Sequence, residues 1–185
     1  MASRSHPADY PADVVQRAAG IRLIGFDVDG TLTDGRLMYG TDGHEAKAFH
    51  VQDGLGLVLL RHAGITTALV TARNSPVVEQ RGRELQIPHV HVGERGKLAC
   101  IRNIAADMGI GMEAVAFMGD DLPDLATLRA VGLAIAPIDA HAWVLPEAHW
   151  ITPRCGGAGA ARDACDLLLH AQGRIDAILA HGEHP

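Results

Sequence analysis

Short apolar runs recur along the chain, and each ends in a polar cluster. Ile21–Phe26 is the first, followed by Ile65–Val70, the shorter Val90–Val92, Ala114–Met118 and Leu133–Ala136. Runs of this length, closed off by polar residues, read as buried strands. Helical stretches fit between them near 54–63, 75–85, 95–108 and 122–129, with a short helix at 13–19. Residues 158–180 read as one or two closing helices interrupted at Gly173. Strands that alternate with helices predict right-handed crossovers and a parallel sheet covered on both faces, in three α/β/α layers.

One segment breaks the alternation. Arg36–Tyr39 and Ala46–Val51 are both strand-like, and Gly40-Thr41-Asp42-Gly43 between them is rich in turn formers. The pattern predicts a β-hairpin over about 36–51 that projects just after the first strand. Residues 1–12 read as a loose polar leader, and 13–185 as a single domain whose C-terminal tail begins near 153. Its 185 residues suit one full-sized core.

Composition changes this picture little. The chain is 48% hydrophobic but only 4% aromatic, so Ala, Val, Ile and Leu must build most of the core. Trp143 and Trp150 read as packing residues. A net charge of −6 and the lack of any Lys/Arg run argue against a nucleic-acid partner. No apolar stretch approaches the length of a membrane span, and residues 1–20 hold no signal-like apolar segment. Cys100, Cys155 and Cys165 are too few and too widely spaced for a disulfide framework or a zinc motif. They read as reduced thiols, and the protein as cytoplasmic.

Ligands of an open parallel sheet bind beyond the carboxyl ends of its strands, so the residues there carry the candidate chemistry. After the first strand come Asp27-Val28-Asp29-Gly30-Thr31, with two carboxylates on one side of an extended segment. Like charges so close need an offset, and magnesium, which favours oxygen ligands, supplies one. After the second strand come Thr71-Ala72-Arg73-Asn74-Ser75 just before a helix, where a hydroxyl and free N–H groups suit a phosphate. Lys97 opens the next helix, and Asp120, Asp121 and Asp124 follow the fourth strand. Asp34, Asp42 and Asp53 each adjoin a glycine, and turn roles are at least as good a reading for Asp34 and Asp42. Asp121 and Asp124 either orient a metal's surroundings or cap the helix at 122. His89 and His91 share a strand face, but no third zinc ligand is evident.

Two acids, a hydroxyl, a lysine and a further acid pair, each after a strand, resemble the four-part signature of the haloacid dehalogenase superfamily over about residues 21–137. The resemblance implies a Rossmann-like α/β fold and a Mg2+-dependent phosphatase. Asp27 would be the nucleophile and Asp29 the acid and base, with Thr71 and Lys97 holding the phosphoryl oxygens. Asp27, Asp120 and the backbone carbonyl of Asp29 would bind the metal. Asp at position 29 points to phosphatases and mutases rather than dehalogenases or transport ATPases. The stretch from Asp27 to Thr71 is filled by the hairpin and one helix, and that from Thr71 to Lys97 by a helix and a short strand. Neither has room for a cap domain.

Four segments resemble a narrower family more closely. They are Asp27–Gly35, Phe49–Gly56, Val70–Arg73 and the glycine-rich Gly156–Leu167. They are similar to those of the capless phosphatases that act on 3-deoxy-D-manno-octulosonate 8-phosphate. The resemblance implies a small anionic sugar-acid phosphate as substrate, contacted by Asp29, Lys97, His50, Val51, Gln52, Asp53, Gly54, Arg73 and Arg81. It implies a homotetramer built on the hairpins, with the glycine-rich tail reaching toward a neighbour's site, and a place in lipopolysaccharide precursor synthesis. The family's usual Thr-Gly-Arg is Thr71-Ala72-Arg73 here, and Pro123 stands where Asn is common. Two other readings stay open at this point: a phosphatase of a nine-carbon keto-acid phosphate, which Arg73 disfavours, and a non-catalytic oligomerising module.

Overall fold

A computed structural model describes residues 10–181. Its centre is a six-stranded, wholly parallel sheet in the order β5-β4-β1-β6-β7-β8. The strands are β1 (Leu23–Phe26), β4 (Thr66–Val70), β5 (His89–His91), β6 (Val115–Met118), β7 (Leu133–Ala136) and β8 (Trp150–Ile151). A separate antiparallel pair, β2 (Met38–Tyr39) and β3 (Glu45–Ala46), forms the hairpin. The helices are α1 (Ala12–Ala19), α2 (Val51–His62), α3 (Pro76–Glu84), α4 (Lys97–Asp107), α5 (Leu125–Leu128), α6 (Ala160–Ala171) and α7 (Ile175–His181).

The layers follow from alternation along the strands. On β1, Ile24 and Phe26 join Val14 and Ala18 of α1, Leu57 and Leu60 of α2, Val78 of α3 and Leu167–Leu169 of α6 in one buried cluster. Leu23 points the other way, with Val115, Phe117, Ile101 and Ile104 of α4 and Leu128 of α5. The sheet is therefore buried on both faces, as parallel sheets require. Each fully buried leucine of α6 contributes about 1.5–3 kcal/mol, so this closing helix is part of the core.

The five predicted strands all form, within two residues of their expected ends. Four expectations change. Val51 is not the end of a hairpin strand but the first residue of α2, and the hairpin strands shrink to two residues each. The helix expected at 122–129 is a 3-10 turn, Leu122–Asp124, running into the short α5. The sheet also gains β8, too brief to show any periodicity, whose Trp150 packs edge-on to Tyr10 at 5.5 Å. Trp143, expected to pack, is exposed beside His141.

Residues 1–9 of the expected leader lie outside the described residues, while Tyr10 is packed and α1 begins at Ala12. The break at Gly173 is real: its φ of +65° ends α6 before α7. Among the described residues no helix is long and apolar enough to cross a membrane.

Candidate active site

The register of the sheet assembles the site. Phe26 of β1 pairs with Leu69 of β4 on one side and Met118 of β6 on the other. Asp27, Thr71 and Asp120 therefore emerge beyond the same edge, and the Asp27 N–H donates to the Met118 carbonyl at 2.9 Å. Lys97, the first residue of α4, is 4% exposed and lies 2.6 Å from Asp27 Oδ1 and 2.6 Å from Asp124 Oδ1. Thr31 Oγ1 donates to Asp120 Oδ1 at 3.1 Å. Asp124 Oδ2 accepts from the backbone N–H groups of Asp120 and Asp121 at 3.1 and 3.3 Å, and Asp121 Oδ1 accepts from that of Leu122 at 2.8 Å. Asp121 thus caps the turn, while Asp124 fixes Lys97 and the loop that bears Asp120.

Asp27, Asp120 and Asp124 bring one carboxylate oxygen each within 4.8 Å of one another. Burial, and then the Asp124 carboxylate, push the Asp27 carboxyl well above the usual range and Asp120 up to about 6. Burial acts to lower the Lys97 ammonium, but Asp27 and Asp124 outweigh it and hold it raised. Three carboxylates against one ammonium leave an excess of negative charge in a buried, oxygen-only donor set. That set fits a hard divalent cation. Among the described residues no other group of three His, Cys, Asp or Glu side chains is placed to hold a metal. His89 and His91 stack on each other at 6.4 Å.

Asp29 faces the hairpin. Its Oδ1 contacts Lys47 Nζ, and Arg73 Nε lies 3.9 Å from its Oδ2. Arg73 also donates to the Tyr39 hydroxyl at 2.6 Å and to Glu45 Oε1 at 3.3 Å. Thr71 is buried, and its hydroxyl oxygen accepts from the Arg73 N–H at 3.2 Å.

The other expected substrate contacts form a second group. His50 is the N-cap of α2, and its Nδ1 is buried without a hydrogen-bond partner. Val51 is 81% exposed, and Gln52 accepts from Arg154 Nη1 at 3.0 Å. Asp53, 2% exposed, accepts from the Arg162 N–H at 2.7 Å and so anchors the start of α6. Gly54 leaves room for Arg81, whose guanidinium lies over the Phe49 ring at 5.7 Å. Arg73 and Arg81, expected to serve one ligand together, sit in different surroundings: the hairpin for Arg73, the α2–α3 contact for Arg81.

At the start of the glycine-rich tail, residues 156–157 lie against the loop after β1 of their own chain, with the Gly157 N–H donating to the Thr31 carbonyl at 3.0 Å. The segment must carry buried Ala160, Ala161 and Ala164 into the core, which holds it close. Sequence reasoning passed over Lys47, Glu45, Tyr39 and Thr31. Alternation along the returning hairpin arm puts Glu45 and Lys47 on one side, the one signal that could have found them.

No family model matches the chain. The 3-deoxy-D-manno-octulosonate 8-phosphate phosphatase of Yersinia pestis is 43% identical over 164 residues, covering 89% of this chain and 88% of that protein. The chain belongs to the 3-deoxy-D-manno-octulosonate 8-phosphate phosphatase family. That is a family of phosphoric monoester hydrolases, and the chain is one of them. Solved structures agree on the fold. A hypothetical protein from Xanthomonas campestris superposes with a TM-score of 0.92 at 51% identity, covering 95% of this chain and 96% of that one. The family's phosphatase from Moraxella catarrhalis, in complex with a magnesium ion, a phosphate ion and KDO, gives 0.91 at 39% identity, over 94% and 100%. Within the fold the family shares, the carboxylate–lysine cluster sits where an α/β sheet binds its ligands.

Proposed function

We propose that the chain hydrolyses 3-deoxy-D-manno-octulosonate 8-phosphate to the free sugar acid and phosphate, through an aspartyl-phosphate on Asp27. The observation that carries this reading is the buried Asp27–Lys97–Asp124 cluster beside Asp120, in a chain 43% identical to a named phosphatase of that substrate.

The residues divide the work as follows. An Asp27 oxygen attacks phosphorus as the bond to the sugar oxygen breaks, and Asp29 gives that oxygen a proton. A water then loses its proton to Asp29 as its oxygen attacks the same phosphorus, freeing Asp27 and inorganic phosphate. Lys97 is a fixed ammonium beside the nucleophile and offsets phosphoryl charge, with the Thr71 hydroxyl as a second donor. The Asp27 and Asp120 carboxylates and the Asp29 carbonyl would hold Mg2+, with Asp124 orienting the Asp120 loop. Bound there, magnesium supplies charge neutralisation between an anionic nucleophile and an anionic phosphate. Arg73, whose Nε lies 3.9 Å from Asp29 Oδ2 and whose side chain is partly exposed, is a cation that suits the substrate's carboxylate.

A homotetramer joined through the hairpins fits the exposure of Met38 at 58% and Tyr39 at 61% on strands whose outer edges have no strand partner among the described residues. In that assembly a neighbour would complete each open site. The cytoplasm fits three unpaired thiols, and the product suits lipopolysaccharide precursor synthesis.

The test is phosphate release with magnesium from the eight-carbon acid phosphate, nine-carbon keto-acid phosphates and hexose phosphates, with Asp27→Asn as blank. Preference for the eight-carbon acid, abolished in the blank, is the expected result. Preference for a nine-carbon acid would keep the chemistry and change the substrate, and release by the blank would remove the nucleophile.

A further inference from the structure

Lys47 lies outside all four strand-end groups, one residue past β3 on the returning arm of the hairpin. Its side chain is only 1% exposed. An ammonium buried to that degree persists where carboxylates face it. Lys47 has two: it contacts Asp29 Oδ1 and lies 3.1 Å from Glu45 Oε1. Glu45 is itself held, accepting from Ser75 Oγ at 2.8 Å and from Arg73 Nη2 at 3.3 Å. The polar side of the hairpin is thereby tied to the loop after β4, and Lys47 is aimed from it at the loop after β1.

The two oxygens of Asp29 are unequal as a result. Oδ1 accepts from Lys47, whereas Oδ2 is buried without a hydrogen-bond partner. With Oδ1 engaged by Lys47, Oδ2, which has only Arg73 Nε at 3.9 Å beside it, is the oxygen left open to a reacting group. A short carboxylate on a loop would otherwise sample several rotamers, and a catalytic group must be held to about 0.5 Å.

We propose that Lys47 is a positioning residue: it fixes Asp29 through Oδ1 so that Oδ2 meets the leaving oxygen, and it makes the hairpin part of the catalytic apparatus. This rests on the reading of Asp29 as acid and base given above.

The test compares kcat and KM of the unmodified enzyme, Lys47→Met, the double variant Lys47→Met/Glu45→Gln and Asp29→Asn. Two substrates are used, the sugar phosphate and p-nitrophenyl phosphate, the second read in the burst of nitrophenol. On the sugar phosphate, Lys47→Met should lower kcat by about 10- to 100-fold, part of the worth of an acid–base group, with KM changed by less than about twofold. The loss should shrink in the nitrophenol burst, because that leaving group departs without a proton. The double variant, which leaves no uncompensated Glu45 charge, should show the same loss. A raised KM at unchanged kcat would overturn the proposal by making Lys47 a substrate contact. Equal losses on both substrates, or none, would overturn it too. Full activity in Asp29→Asn would instead sink the acid–base reading beneath it, a result distinct from any failure of Lys47 alone.

Discussion

Gly156 is where the C-terminal segment crosses the loop after β1. A Cβ built there would stand 2.6 Å from the carbonyl carbon of Gly30, nearer still to its oxygen, and 3.3 Å from the Thr31 nitrogen. All three are backbone atoms, so no side chain can swing aside. Gly156→Ala must push the two segments apart by roughly 1 Å, and overpacking of this kind costs about 1–3 kcal/mol. The displacement would also reach the site. Thr31 carries the hydroxyl that donates to Asp120 at 3.1 Å, and the Gly157 N–H holds the Thr31 carbonyl at 3.0 Å. Misplacement of reacting groups by about 1 Å costs on the order of 100-fold in rate. Urea unfolding and kcat/KM for phosphate release would be measured on Gly156→Ala beside Gly20→Ala. Gly20 ends α1 at φ −96°, with nothing within 4 Å of an added Cβ. Alanine there should be neutral or stabilise by about 0.4–1 kcal/mol, with activity intact. If the two variants behaved alike in both assays, the segment does not press on the loop after β1 and the argument fails.

Lys97→Met removes the cation shared by Asp27 and Asp124. Breaking a buried pair in this way should cost about 3–5 kcal/mol in chelator, less with magnesium, and at least about 100-fold in rate; unchanged unfolding in chelator would contradict it. Asp120 has a folded-state pKa raised to about 6 from 3.8, so its ionisation opposes folding as pH rises through that window. In chelator at pH 7, Asp120→Asn should therefore be more stable than the parent by up to about 3 kcal/mol, with the advantage gone below about pH 4. A gain that grew on acidification would have the wrong sign. Asp53→Ala takes the acceptor from the Arg162 N–H at the start of α6. It should cost about 1–2 kcal/mol by urea unfolding with little change in KM, whereas a raised KM at full stability would make Asp53 a substrate contact.

The central sheet was legible because five of its six strands fall in short apolar runs, and those of β1, β4 and β6 are stopped by the residues of the candidate site. Ile21–Phe26 followed by Asp27 shows strand and chemistry in one glance. That Asp27, Thr71 and Asp120 would come together was legible for the same reason, since strand ends in a parallel sheet converge. What escaped was fixed by tertiary contact. Trp150–Ile151 is a strand only because β7 lies beside it. The resemblance made Asp53 a substrate contact; local pattern could not show that its Oδ1 also accepts from the N–H of Arg162, more than a hundred residues away. Lys47 carried no motif at all. Its burial depends on Asp29 and Glu45 closing around it, which local pattern cannot report. The glycine-rich segment was recognisable as a unit, but the need for glycine at 156 comes from the Gly30 backbone across the fold.

The claim on which the account depends most is the phosphoryl group on Asp27. It is tested most directly by loading Asp29→Asn with p-nitrophenyl phosphate and magnesium, quenching in acid and mapping peptides by mass. With the base for the second step removed, the aspartyl-phosphate should accumulate. The peptide bearing Asp27 should gain the mass of one phosphoryl group, and the same peptide in an Asp27→Asn/Asp29→Asn control should not. Nitrophenol release with no phosphoryl group on that peptide, or with one on any other, would contradict the account.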